Sequence, residues 1–372
     1  MSEAEEVSTV RATVRRIMED FGPDYWRELD AQRAFPQPFF EAMGKAGFFG
    51  TLLPVEHGGS GAGPAAAAAI VEEINRAGGD AAAINAQMAI CGAILRGGSD
   101  AQKARYLTAV ARGARRCLAL AASEPDCGAD MSALESTAER QADGSWLLKA
   151  HKVFISMVEH TDLLVLLTRT DQGPGLFLID RREHGEALEV RPLELIANRM
   201  TTTLFVDGLR VPDEMRLGEP GSGLTTLMGG FAVRRVLAAC ESIGNARFLL
   251  DRALEHARTR EVFGRIIGQN QGVQYPLAQA YARVEAADLM RADALRLIEA
   301  GEDAGGRSAL AKVLASEAAW ETARAALTSF GGWGLASEMH VERKLRECTV
   351  FIFNNLLMSM ISQRVLGLPK GF

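Results

Sequence analysis

The stretch Leu118–Ser156, LALAASEPDCGADMSALESTAERQADGSWLLKAHKVFIS, decides how the rest of the chain is read. It opens on small apolar residues, turns at Ser123-Glu124-Pro125 and passes through a Gly128-Ala129-Asp130 loop. Leu134–Arg140 and Trp146–Lys149 alternate apolar and polar residues between turn formers, as half-buried strands do. The stretch ends in Lys152-Val153-Phe154-Ile155-Ser156. Beyond it, Asp162–Arg169, Gly175–Ile179, Leu188–Leu193 and Thr203–Val206 are further short strand-like runs, closed by Val211-Pro212 and Gly218-Glu219-Pro220-Gly221.

On both sides the period becomes helical. Upstream, Glu5–Asp20, Pro36–Ala46, Pro64–Ala77, Ala81–Leu95 and Ala101–Arg112 read as helices, with Gly78-Gly79-Asp80 and Gly97-Gly98-Ser99-Asp100 as stops and caps. The alanine runs at Ala65–Ala69 and Ala81–Ala83 permit close helix approach. Downstream, helices are expected from Gly223 to Arg258, Gln271 to Ala300 and Gly306 to Phe330, followed by two shorter ones after Gly331-Gly332-Trp333-Gly334. The expected architecture is α+β and multi-domain: an N-terminal helical bundle (1–116), a middle β-barrel-like domain (117–222) and a C-terminal four-helix bundle (223–372).

Bulk properties narrow the function. A chain of 372 residues holds two or three packed units. A net charge of −6 argues against a nucleic-acid surface, which wants a basic face. The 6 histidines form no H-E-x-x-H element, so no metal site is expected. The 5 cysteines are scattered without C-x-x-C, which suits free thiols in a reducing cytoplasm. No run approaches the ~20 apolar residues of a membrane span.

The segments SEPDCGAD and KVFIS, with LLPVEHGGSG, VDGLRVP, RTREVFGRIIGQNQGVQYPLAQAYA, FGGWG, HVERKLRE and VLGLPKGF, occur in the order in which acyl-CoA dehydrogenases carry their counterparts. The chain resembles that family over nearly its whole length. The resemblance implies the acyl-CoA dehydrogenase fold, FAD as cofactor and an acyl thioester as substrate, oxidised between its α and β carbons. Ser123 is then expected on the pyrimidine side of the flavin, Phe154 against the isoalloxazine and Ser156 facing ring N5. Arg260, Phe263, Gly264 and Gln271 match an R-x-x-F-G…Q element that reaches the dinucleotide of a neighbouring subunit, and Gly331 and Gly332 match glycines that let backbone approach it. The implied assembly is a dimer of dimers, homo- or hetero-, with an electron-transfer flavoprotein as electron acceptor.

The catalytic base is where this sequence departs from the family. Removing the α-proton calls for a carboxylate, and the family carries a Glu at one of two places. The first is directly before a retained Arg on the first long C-terminal helix. Arg235 matches that Arg, a substrate-side residue, so Arg234 stands where the base is expected, and a guanidinium accepts no proton near neutral pH. The second is a Tyr-Glu-Gly-Thr-like loop after Arg346-Glu347-Cys348, but here Thr349–Asn355 contains no acid. Glu347 matches a residue expected to serve as a charge partner, and Glu241 lies too far along the helix to substitute. Ala129 and Thr328 replace two further polar residues of the family pattern. Besides an ordinary dehydrogenase, this pattern admits a base-deficient partner subunit of a hetero-oligomer, a flavin oxygenase or oxidase, and a thioester-binding protein without flavin.

Overall fold

The computed structural model describes residues 3–128 and 130–369. Helices α1 (Glu3–Glu19), α2 (Pro23–Gln32) and α3 (Gln37–Lys45) are followed by α4 (Gly63–Arg76), α5 (Ala82–Ile90), α6 (Gly92–Gly97) and α7 (Asp100–Ala111). Strands β1 (Ala119–Ala121), β2 (Thr137–Arg140), β3 (Trp146–Ser156), β4 (Leu163–Thr170) and β5 (Gly173–Asp180) come next. A one-turn helix α8 (Arg181–His184) precedes β6 (Leu188–Pro192), β7 (Thr201–Val211) and β8 (Arg216–Leu217). The chain then forms α9 (Gly223–Met228), α10 (Phe231–Thr259), a hairpin of β9 (Glu261–Val262) and β10 (Arg265–Ile266), α11 (Gln271–Glu299), α12 (Gly305–Phe330), α13 (Val341–Thr349) and α14 (Asn355–Met360). Two compact units result: one holds Arg33–Gly63 and Ala82–Phe231, the other the residues up to Gln32, Pro64–Ala81 and those from Ala232 onward.

The first unit is built on one sheet in the order β6-β7-β3-β2-β4-β5-β8, with β1 paired parallel to β4. The continuous run Leu163–Leu167 explains itself here, because β4 is buried on both faces. Leu163, Val165 and Leu167 pack with Ile90, Ile94, Leu107 and Val110 of the helices. Leu164 and Leu166 join Trp146, Leu148, Phe177 and Val206 in a second cluster. The Gln87 side chain ties helix to strand, donating to the carbonyls of Val110 and Arg115 and accepting from the Cys117 amide at 2.8 Å.

In the other unit α4 is buried almost throughout, as its alanines allow. A Cβ on Gly244 of α10 would stand 2.6 Å from the Glu72 carbonyl oxygen, so α4 and α10 approach as closely as backbone permits. The buried acids Glu72 and Glu73 are matched by Arg11 (2.9 and 2.7 Å), by Arg15 at 2.8 Å from Glu73, and by Arg247 on Glu72.

The expected helix Gly223–Arg258 is two helices, not one. Gly229 and Gly230, both poor helix formers, separate α9 from α10, and Gly230 N–H turns back to the Leu227 carbonyl. The expected helix Ala81–Leu95 is likewise divided, at Cys91. Helix α2 and the β9–β10 hairpin are additional to the elements expected from sequence.

His340 precedes α13 in the left-handed region (φ 61) and is buried, with Nε2 3.6 Å from Asp24. Burial, then repulsion from Arg343, pushes its pKa from 6.5 down to about 4. The unfolded chain therefore binds the proton first, and this contribution to stability is complete above the unfolded pKa and lost as pH falls from 6.5 toward 4. The expected loss is about 3 kcal/mol. Chemical denaturation across that window should show it, and His340→Asn, which tolerates the same backbone, should flatten it.

Candidate functional site

Glu124 and Lys152 join the two halves of the opening stretch. Both are buried, and Lys152 Nζ stands 2.6 Å from Glu124 Oε1. Lys152 also donates to the Ala122 carbonyl at 3.2 Å, and Glu124 accepts the amides of Glu135 (2.6 Å) and Ser136 (3.1 Å). Burial alone would raise the Glu124 pKa; the Lys152 ammonium and those amides outweigh it and hold the carboxyl below its ordinary value. The Val153 amide donates to the Ser123 carbonyl at 3.0 Å, so Ser123 lies against the residue before Phe154.

Past Lys152 the β3–β7 register shifts: Lys152 pairs with Leu204, but Ile155 pairs with Thr202. The extra residue makes a bulge, and bulges re-aim side chains. Phe154 takes φ 57 and is 63% exposed, while Ser156 remains partly buried opposite Thr201. A bulky aromatic at positive φ is an outlier of order 1–3 kcal/mol, of the kind that clusters at functional sites. Met157 follows at φ 59, with its amide bonded to the Met200 carbonyl at 2.9 Å. Ser123, Phe154 and Ser156 thus stand within one bonded strand-and-loop element.

The other group of expected residues lies in the unit that contains α10–α12. Arg260 follows α10, and its carbonyl accepts the Ile267 amide at 2.8 Å, closing the β9–β10 hairpin. Phe263 (φ 54) and Gly264 (φ 75) form the two-residue turn, in which both positions need positive φ. Phe263 is fully exposed at its tip. Gln271 opens α11 and is exposed. Gly331 (φ 59) ends α12, and a Cβ on either Gly331 or Gly332 would meet open space. The rings of His256 and Phe330 stack at 4.1 Å, holding the last turn of α10 beside the end of α12. That stack brings Arg260 and Gly331 to one end of the unit, and sequence spacing carried no signal for it.

Arg234 and Arg235 occupy the first turns of α10, both partly buried. Burial, then repulsion from Arg364, lowers the pKa of Arg235. Glu347 is a charge partner: it binds Arg343 and, at 2.7 Å, the wholly buried Lys344. Lys344 also donates to Asn245 Oδ1 at 2.8 Å and to the Gly79 carbonyl. A carboxylate held between two cations makes a poor base. The segment Phe351–Asn354 is organised by a lysine instead of an acid. Lys312 Nζ donates to the Phe351 carbonyl and to Asn354 Oδ1, each at 2.6 Å, and burial pushes its pKa down to about 8. Glu241 is buried in α10, about two turns past Arg234. Thr328 spends its hydroxyl on the Arg324 carbonyl, and Ala129 lies outside the described residues.

Among the described residues no helix is long and apolar enough to cross a membrane. Family models match in three consecutive blocks: acyl-CoA dehydrogenase N-terminal domain over residues 4–114, middle domain over 119–207 and C-terminal domain over 221–353. The acyl-CoA dehydrogenase FadE12 of Mycobacterium tuberculosis is 31% identical, the match covering 100% of this chain and 98% of that protein. The caffeyl-CoA reductase-Etf complex subunit CarC of Acetobacterium woodii is 30% identical over 91% of this chain and 92% of its own. A glutaryl-coenzyme A dehydrogenase in complex with glutaryl-CoA superposes with TM-score 0.92 at 30% identity, covering 100% and 97% of the two chains. The chain belongs to the acyl-CoA dehydrogenase family, whose members are flavoprotein oxidoreductases.

Proposed function

We propose that this chain binds FAD and takes part in α,β-dehydrogenation of an acyl-CoA. The observation that carries the proposal is Phe154, an exposed aromatic kept at positive φ next to a buried lysine that locks its strand. Such strain persists where the surroundings over-determine it, and a planar apolar ring is a fitting occupant of that face. Ser123 and Ser156 would flank the isoalloxazine, and Arg260, Phe263, Gln271, Gly331 and Gly332 would close on the dinucleotide of a neighbouring copy. When bound, FAD supplies the two-electron acceptor. The protein's part is to keep water off one ring face, set hydroxyls at its edge and hold the thioester beside Arg235.

The assembly implied by the family resemblance, a dimer of dimers, would cover exposed apolar side chains such as Phe263, Trp333 and Leu335. The likeness to CarC, a subunit of a reductase-Etf complex, supports an electron-transfer flavoprotein as electron partner. The buried free thiols suit a cytoplasmic setting, and the three matched blocks support division into 1–116, 117–222 and 223–372.

A second reading has its own support. Arg234 at the first base position, Glu347 locked by Arg343 and Lys344, and the acid-free segment 349–355 favour a subunit whose partner supplies the carboxylate. Purification alone and after co-expression with a family member from the same source tests both readings. The flavin absorption band is expected in at least one preparation and to be lost in Phe154→Gly. Bleaching by acyl-CoA in the single-chain protein supports the first reading, and bleaching only in the co-expressed complex supports the second. Oxygen uptake that requires an external reductase would replace both with an oxygenase. A colourless wild-type protein in both preparations would overturn the flavin assignment.

A further inference from the structure

Arg96, on the last turn of α6, belongs to none of the groups above. Its guanidinium lies in a slot walled by three glycines. A Cβ on Gly92 would stand 2.9 Å from Nη1, one on Gly229 3.1 Å from Cδ, and one on Gly230 2.4 Å from Nη2. Side chains at those positions would evict the head group. Arg96 Nε donates to the Thr226 carbonyl at 3.0 Å, which fixes the plane of the fork while the residue remains solvent-accessible.

Among the described residues no carboxylate forms an ion pair with Arg96. The ionisable neighbour that Arg96 feels is Cys91, a thiol that burial pushes up to about 12 and so keeps protonated. Burial in the slot lowers the pKa of Arg96, with no acid to offset it. A surface arginine serving only as a helix tie needs neither a glycine floor nor a fixed plane. A partly desolvated fork, pre-oriented and without a carboxylate partner among the described residues, is suited to bidentate capture of a carboxylate or phosphate.

We infer that Arg96 binds an oxyanion of the acyl thioester, either a carrier phosphate or a carboxylate on the acyl group, through its Nη1–Nη2 edge. The inference rests on the acyl-CoA reading above. Gly230 directly precedes α10, whose first turns carry Arg234 and Arg235, the residues matched to the thioester side of the family site.

Calorimetric titration of the flavin-containing protein tests it with four probes: CoA, pantetheine, and a dicarboxylic and a monocarboxylic acyl-CoA of equal length. Arg96→Gln should weaken binding about tenfold or more, the scale of a charge-assisted hydrogen bond. If the carrier phosphate is the anion, the preference for CoA over pantetheine collapses. If the acyl carboxylate is the anion, the preference for the dicarboxylic thioester collapses. Gly230→Ala keeps Arg96 but displaces its mobile end, and should lose affinity in the same arm. Variants that bind every probe within about twofold of wild type overturn the inference and leave the acyl-CoA reading intact. A wild-type protein that binds none of the four ends both.

Discussion

Arg234→Glu should raise the rate at which an acyl-CoA reduces the flavin-loaded protein by at least about 10²-fold, measured by stopped-flow bleaching under single-turnover conditions. General-base catalysis contributes about 10²–10⁴ in rate. Among the described residues, the acids nearest the two family positions are poorly disposed for that role: Glu347 is held by Arg343 and Lys344, and Glu241 lies about two turns away. A glutamate at 234 would feel opposing influences. Partial burial raises its pKa toward a useful value, while Arg235 and the nearby Arg364 lower it. The rate should therefore rise with pH as the carboxyl ionises, and Arg234→Gln should show neither the gain nor the pH dependence. If Arg234→Glu still binds FAD and acyl-CoA but is reduced no faster than wild type, position 234 does not face the α-carbon. In the two-subunit case the gain appears in the single chain and is small in the complex, where a partner already supplies the base.

The parts of the fold that were legible in sequence are those where burial writes a period. Leu163–Leu167 alternates its side chains between two clusters, so an apolar run bounded by turns had one reasonable reading. The alanines of α4 announced close packing for the same reason. Pairings between distant residues of ordinary type were not legible. Glu124 and Lys152 are each unremarkable alone, and nothing local says that they meet in a buried pair. The His256–Phe330 stack and the bond from Lys312 to Asn354 are equally silent in sequence. The break between α9 and α10 was visible as Gly229-Gly230, yet the helical period on each side masked it. At the candidate site the motif residues were found through the family resemblance. The bulge at Phe154 and the turn at Phe263-Gly264, which give those residues their exposure, follow from backbone geometry that residue types alone do not fix.

Glu124→Gln should destabilise its folding unit by about 3–5 kcal/mol, because it leaves the Lys152 ammonium buried against a neutral acceptor. Urea unfolding followed by far-UV dichroism measures the loss. Removing both charges with Glu124→Gln and Lys152→Met should recover much of it, since no uncompensated charge then remains. The same pair gives stability an acid limb. Glu124 is held below its ordinary pKa, so its contribution is present above the unfolded value and lost as pH falls through the folded one. Lys152 is also the last paired residue before the bulge that turns Phe154 outward. Once its ammonium no longer anchors β3 to the Ser123–Glu124 loop, the strained φ at Phe154 has less to maintain it. Flavin content should then fall further than the stability loss alone requires, including at temperatures where the variant is fully folded. A folded Glu124→Gln variant with wild-type flavin content would separate the ion pair from the cradle and leave the bulge alone to position Phe154.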